Sequence, residues 1–201
     1  MLFRSGTVPV RGPGVGEHVP EAADMPAIEP GDSFLAHLTL PRAGTFIYHT
    51  HMNDLEQLTS GLYGPIVVLE PGRHFDPATD HIFIAGWDGP DDPPHLLING
   101  DSLPGPLELH AGIAHRMRFI NIGAGNRPPF SIRHDTALVT WRALAKDGAD
   151  LPRSQATSRS AVQVIDVGET YDFEWIPTPG DYRLVVGPVG QPIRQRRIVV
   201  R

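Results

Sequence analysis

His49 and His51 are the residues of this chain whose types and spacing best suit chemistry. They follow a predicted strand, 44–48, and side chains two apart on a strand point to the same face, roughly 7 Å apart. Both imidazoles should therefore face one way, with Thr50 facing the other. Imidazole is a ligand that copper, zinc and iron accept, so the pair predicts metal binding. The alternative is that two of the chain's ten histidines merely fall close together, since two ligands are fewer than a complete site needs.

Short strands must position these histidines, because Gly and Pro number 21 each in 201 residues and disfavour long helices. A short helical turn is expected at 54–60, a loop at 87–94, and tight turns at Asn99-Gly100 and Asp147-Gly148. Short strands between turn signals indicate an all-β fold, an antiparallel sandwich or barrel. The strands are predicted at 33–40, 44–48, 66–70, 81–85, 96–98, 107–109, 115–122, 130–134, 140–145, 171–175 and 182–186.

Composition excludes several classes of function. A net charge of −6 argues against nucleic acid, which is bound by basic surfaces. The chain has no cysteine, so it can form no disulfide, thiolate metal site or cysteine nucleophile. No apolar run is long enough to cross a bilayer, and the first residues lack the apolar core of a signal peptide.

The remaining polar residues are better explained by surface or structural roles than by binding or catalysis. The other histidines lack ligand spacing and are expected to be surface or hydrogen-bonded residues; they include His74, His81, His95, His110 and His115. The aspartates at 88, 91 and 92 are interleaved with prolines and predict a solvated loop rather than a calcium site. The arginines at 194, 196, 197 and 201 predict a solvated strand face. In 171–175, the aromatic side chains of Tyr171, Phe173 and Trp175 are predicted to share one face.

Two segments in sequence order resemble the multicopper oxidases, the laccase-type enzymes. Residues 43–51 read AGTFIYHTH, and residues 61–68 read GLYGPIVV. In that family a Gly-Thr-aromatic-x-Tyr-His-x-His strand of the first cupredoxin domain is followed by Gly-Leu-Tyr-Gly-Pro and a closing strand. Residues 26–34 resemble the strand entry before this motif, and 80–187 resemble the family's second cupredoxin domain.

The resemblance implies a cupredoxin-like Greek-key fold and copper as cofactor. His49 and His51 would each ligate one copper of the type 3 pair, part of the cluster that reduces dioxygen to water. The complete protein would oxidise phenols, amines or metal ions with dioxygen, in the periplasm or outside the cell. No nucleic acid or membrane partner is implied.

The chain departs from the family pattern in its missing ligands. Without cysteine it cannot supply the thiolate of a type 1 copper site, and an upstream His-x-His-Gly element is absent. We therefore expect a fragment: an irregular arm at 1–25, the C-terminal half of a first cupredoxin domain at 26–72, and a complete second domain at 80–201. Such a fragment should lack oxidase activity alone. Its exposed strand edges could pair copies into a homo-oligomer. The alternative function is a non-catalytic cupredoxin-like binding or structural module.

Overall fold

The computed structural model describes residues 39–50, 54–89, 95–123, 127–187 and 194–201. One helix, α1 (Asp54–Thr59), and fifteen strands lie within these ranges. The strands are β1 (Gly44–His49), β2 (Tyr63–Val68), β3 (Asp80–Asp88), β4 (His95–Ile98), β5 (Leu107–Leu109), β6 (His115–Asn121), β7 (Pro129–His134), β8 (Ala137–Leu138), β9 (Thr140–Lys146), β10 (Ala149–Asp150), β11 (Ser158–Ser160), β12 (Val162–Val164), β13 (Thr170–Trp175), β14 (Gly180–Val186) and β15 (Arg194–Val200).

Residues 80–201 form two sheets that pack face to face. The first sheet has the order β10-β9-β13-β6-β3-β4, with β11 also paired to β9. The second has the order β12-β7-β14-β15-β5, with β8 also paired to β7. The alternating apolar side chains of both sheets meet in one core, in which the ring of Phe119 lies 5.3–6.0 Å from the rings of Phe83, Phe130, Trp141 and Phe173. The predicted all-β sandwich is confirmed.

A separate hairpin, β1–β2, packs on the outer face of the first sheet. Its register runs from Gly44 opposite Val68 to His49 opposite Tyr63. Beneath it a second, smaller core forms around Ile84, Ile120 and Ile122, against which Ile47, Leu58, Tyr63 and Ile82 pack. The strands β3 and β6 are therefore covered on both faces, which explains their nearly continuous burial.

The buried carboxylate of Asp172 joins the hairpin to the sheet. Its Oδ2 accepts hydrogen bonds from Thr45 Oγ1 at 2.9 Å, from Arg118 Nη1 at 3.0 Å, and from Arg116 Nε and Nη2 at 2.9 and 2.7 Å. Arg118 also donates to Thr45 Oγ1 and pairs with Asp80 at 2.7 Å. The side chains of Asp172 and Arg118 are 1% and 3% exposed. A charge this deeply buried has to be paired, so this ionic cluster fixes where the hairpin sits.

The turn between β9 and β10 provides a second attachment. Asp147 and Gly148 both have positive φ, 48° and 68°, as the predicted tight turn requires. Arg42 donates to the carbonyl oxygens of both residues, from Nε to Gly148 at 2.6 Å and from Nη2 to Asp147 at 3.0 Å. Gly44 lies so close to Gly148 that any side chain there would collide with its backbone. The beginning of the histidine strand is therefore held against this turn by the Arg42 side chain and by the close approach of Gly44 to Gly148.

The predicted strands from 44–48 onward are confirmed, and two other expectations are wrong. The predicted arm at 1–25 and nearly all of the predicted strand at 33–40 lie outside the described residues. The expected loop at 87–94 is wrong at its start, because Trp87 and Asp88 extend β3 and pair with β4; residues 90–94 lie outside the described ranges. The sheets are also not purely antiparallel. The chain leaves the first sheet after β4, enters the second as β5, and returns as β6 parallel to β3; β5 and β15 are parallel as well. In β13 the predicted shared aromatic face is confirmed: Phe173 and Trp175 lie in the core, and the half-buried Tyr171 packs against it with its ring stacked on that of Phe173.

We predict that Asp172→Asn lowers the free energy of unfolding by about 3 kcal/mol, because it leaves two arginines facing a neutral partner beneath the hairpin. Amides of β1 should exchange with solvent faster than in the wild type. Urea unfolding and hydrogen–deuterium exchange measure the two effects.

Glu174→Gln is the matched control on the same strand. Glu174 pairs with Arg142 at 3.0 Å in a contact that solvent reaches, so the loss should stay below about 1 kcal/mol. Equal losses in both variants, or unchanged exchange in β1 of Asp172→Asn, would show that the ionic cluster does not hold the hairpin.

Candidate functional site

His49 is the last residue of β1, at the end of the hairpin from which the chain continues to α1. It is half-buried and lies opposite Tyr63 in the register. By strand alternation it shares a face with Thr45 and Ile47, the residues that contact the first sheet. His51 lies outside the described residues, so its predicted position beside His49 stays a prediction.

One hydrogen bond sets the orientation and tautomer of the His49 ring. Its Nδ1 lies 2.7 Å from the carbonyl oxygen of Thr50. A carbonyl oxygen can only accept, so Nδ1 carries the proton and the lone pair of the neutral ring is on Nε2. Metal-binding histidines commonly donate their other ring N–H to a backbone carbonyl in this way. In this tautomer His49 has the ring form in which histidine ligates a metal through Nε2.

The segment after His49 is held by Thr50. Its backbone N–H donates to the carbonyl of Leu62 at 3.2 Å, which continues the hairpin by one residue. Its hydroxyl donates to the side-chain oxygen of Gln57 on α1. Thr50 therefore ties the strand to the helix that follows. In the sequence, Thr50 is visible only as the residue between two histidines, and nothing points to Gln57, because contacts seven residues apart have no repeating pattern in a loop.

Tyr63 supports the opposite strand. Burial raises the pKa of its phenol, so it stays neutral at physiological pH. Its hydroxyl approaches the backbone of Gly86 so closely that a side chain at Gly86 would displace it. This packing places the second strand of the hairpin against β3 at the level of His49. In the part of the chain that the structure describes, no three histidine, aspartate or glutamate side chains cluster closely enough to hold a metal ion.

The chain is similar in sequence to known proteins. Residues 19–73 match the multicopper oxidase family. The chain is 30% identical to Laccase-2 of Fomitopsis schrenkii over 207 aligned positions, which cover 88% of this chain and 37% of that protein. Laccase-2 of Cryptococcus neoformans is 26% identical, with 76% and 33% covered.

The chain is related to the laccase-like multicopper oxidases. It spans about a third of the length of the laccases it matches. Solved structures of this family share its fold. The blue copper oxidase from Nitrosomonas europaea superposes with a TM-score of 0.70 at 24% identity, covering 89% of this chain and 63% of that one. The multicopper oxidase mgLAC gives 0.68 at 22% identity, with 90% and 63% covered. The expected cupredoxin-like fold is confirmed.

Two further histidines, expected to be hydrogen-bonded, are confirmed as a buried pair. His115 Nε2 lies 2.8 Å from the carbonyl oxygen of His110, so His115 carries its proton there. Its Nδ1 then accepts from Nε2–H of His81 at 3.1 Å. Burial, and next the neighbouring His115, lowers the pKa of His81 from 6.5 to about 4. The pair lies at the start of β3 and β6 and serves packing there.

None of the helices in the described ranges is long and apolar enough to cross a membrane.

We predict that His49 is the Nδ1–H tautomer at pH 7.5, whereas His81 and His115 are Nε2–H tautomers. Long-range ¹H–¹⁵N correlation spectra distinguish the two forms, and the buried pair provides the internal reference. A His49 ring protonated on Nε2 would contradict the orientation described here.

We also predict that the free energy of unfolding falls as pH drops from about 6.5 to about 4. Across this range the unfolded chain protonates His81 and the folded chain does not, so acid favours unfolding. The difference between the two pKa values corresponds to at most on the order of 3 kcal/mol. Urea unfolding at stepped pH should show a shallower dependence in His81→Gln. The exposed His74 provides the control, since His74→Gln should keep the wild-type dependence. A wild-type dependence in His81→Gln would contradict the assignment.

Proposed function

We propose that this chain is part of a laccase-like multicopper oxidase in which His49 and His51 each ligate one copper of a type 3 pair. The observation that carries the proposal is the Nδ1–H···O=C bond from His49 to Thr50, which leaves the lone pair on Nε2. The kinship with laccases and the His-Thr-His spacing on one strand support it.

Copper, when bound, supplies one-electron redox chemistry for oxidising phenols, amines or metal ions while dioxygen is reduced to water. The residues of this chain hold and orient ligands for that chemistry. Strand β1 directs His49, the Thr50 carbonyl fixes its ring, and Gln57 ties the following segment to α1. Cysteine is absent, so a type 1 thiolate ligand would have to come from residues outside this chain.

Two further parts of the proposal concern organisation and location. Residues 26–72 would be the C-terminal half of a first cupredoxin domain, and 80–201 a complete second one. The separate β1–β2 hairpin and the two-sheet unit at 80–201 support this division. The complete protein would act in the periplasm or outside the cell, on small aromatic or metal-ion substrates with dioxygen.

Copper titration of the purified chain tests the ligand assignment. We predict that His49→Ala and His51→Ala each weaken Cu(II) binding by at least about tenfold, because each removes one of the few ligands present. Calorimetry measures the affinity, and electron paramagnetic resonance reports nitrogen coordination.

His74→Ala and His110→Ala are the matched controls, since both histidines are exposed and lie away from the hairpin. Both should bind copper like the wild type. Unchanged copper uptake in His49→Ala and His51→Ala would eliminate the ligand assignment and leave the non-catalytic cupredoxin-like module as the function. Phenol oxidation by the 201-residue chain alone would contradict the need for ligands from outside it.

A further inference from the structure

Three arginines stand side by side on the outer face of the second sheet. Arg183 on β14 lies opposite Arg133 on β7 on one side and opposite Arg197 on β15 on the other. The inward neighbours Ile132, Leu184 and Ile198 lie in the core, so the three arginines point outward. Directly opposite residues on neighbouring strands have Cβ atoms about 5 Å apart. The three side chains therefore form a row of positive charge across three strands, which we name the arginine row.

The positive charge of Arg183, the middle member of the arginine row, is not paired with a carboxylate among the described residues. Arg197 pairs with Asp181 at 2.7 Å, and Arg133 donates to the carbonyl oxygen of Thr136 at 2.8 Å. The exposed guanidinium of Arg183 has no hydrogen bond or ion pair with any residue in the described ranges. Like charges placed directly opposite one another destabilise a sheet. In a chain of net charge −6, this row is a local exception rather than a consequence of overall basicity.

The row borders an open groove of about 600 Å³ whose lining is chemically mixed. Arg183 and Arg197 supply cationic donors, whereas Asp135 and Asp181 supply acceptors. Thr136 and Gln195 add a hydroxyl and an amide. A bare inorganic anion would be attracted by the arginines and repelled by the two carboxylates. A ligand with both a carboxylate and several hydroxyls satisfies all of these groups, because its hydroxyls can donate to the aspartates.

We propose that the arginine row and this groove bind an acidic sugar, with the sugar carboxylate on Arg183 and its hydroxyls on the neighbouring polar side chains. A guanidinium presents paired N–H donors that match both oxygens of a carboxylate. The site lies on the sheet opposite to the one that carries the hairpin, so it is independent of the copper proposal.

Calorimetric titration of the 201-residue chain with trigalacturonic acid tests the proposal. We expect a Kd of about 1 mM or tighter. Arg183→Gln should weaken binding by at least about tenfold, because it removes the charged donors at the centre of the row. Arg153→Gln is the matched control: Arg153 is exposed and lies after β10, away from the groove, and its substitution should leave binding unchanged.

Two further ligands separate acidic-sugar recognition from simple charge attraction. The trimethyl ester of trigalacturonic acid keeps the hydroxyls without the carboxylates and should not bind measurably. Inorganic phosphate keeps charge without the sugar and should bind at least about tenfold more weakly than the acid. Phosphate binding as tight as the acid, equal loss in Arg183→Gln and Arg153→Gln, or no binding of the acid would each overturn the proposal. Unchanged thermal unfolding of Arg183→Gln confirms that the variant is folded.

Discussion

The buried carboxylate of Asp172 is the interaction on which the arrangement of this molecule depends. It receives hydrogen bonds from β1 and β6 while belonging to β13, and Arg118 extends the same cluster to Asp80 on β3. Apolar packing under the hairpin is non-directional, so the isoleucines there favour contact without choosing one register. A buried carboxylate is stable only when donors lie at hydrogen-bonding distance, which restricts the positions that its partners can take. The ionic cluster therefore converts a loose apolar contact into one specific placement of the hairpin.

That placement determines where the candidate copper ligand points. His49 lies four residues beyond Thr45 on the same strand face, about 13 Å along β1 at roughly 3.3 Å per residue. The strand is fixed at its beginning by the turn at Asp147-Gly148, at Thr45 by Asp172, and at its end by Thr50 and Gln57. Only the last contacts act on the imidazole itself. The sandwich positions the strand, and local hydrogen bonds position the ring.

Local sequence patterns were sufficient for the strands and turns but not for the buried polar cluster. The tight turns at 99–100 and 147–148 and most strands depend on residues close together in the chain, where periodicity and turn chemistry act. Thr45 and Asp172 are 127 positions apart. Alternation correctly places Arg118 and Asp172 away from the main core, yet it cannot reveal that a hairpin from elsewhere covers them. The His49 tautomer is equally inaccessible, because it depends on which acceptor lies within reach of Nδ1.

The two outer faces of the sandwich show why similar arginines have different consequences. On the first sheet, the buried Arg118 and the half-buried Arg116 are matched to carboxylates on neighbouring strands, since a buried charge without a partner would be prohibitive. On the second sheet, solvent screens the arginine row, so Arg183 tolerates having no carboxylate of its own. Internal partners neutralise the buried arginines and leave them a structural role. The exposed row keeps its charge, and among the described residues Arg183 has no hydrogen-bond acceptor, so its N–H groups are open to water or to a ligand.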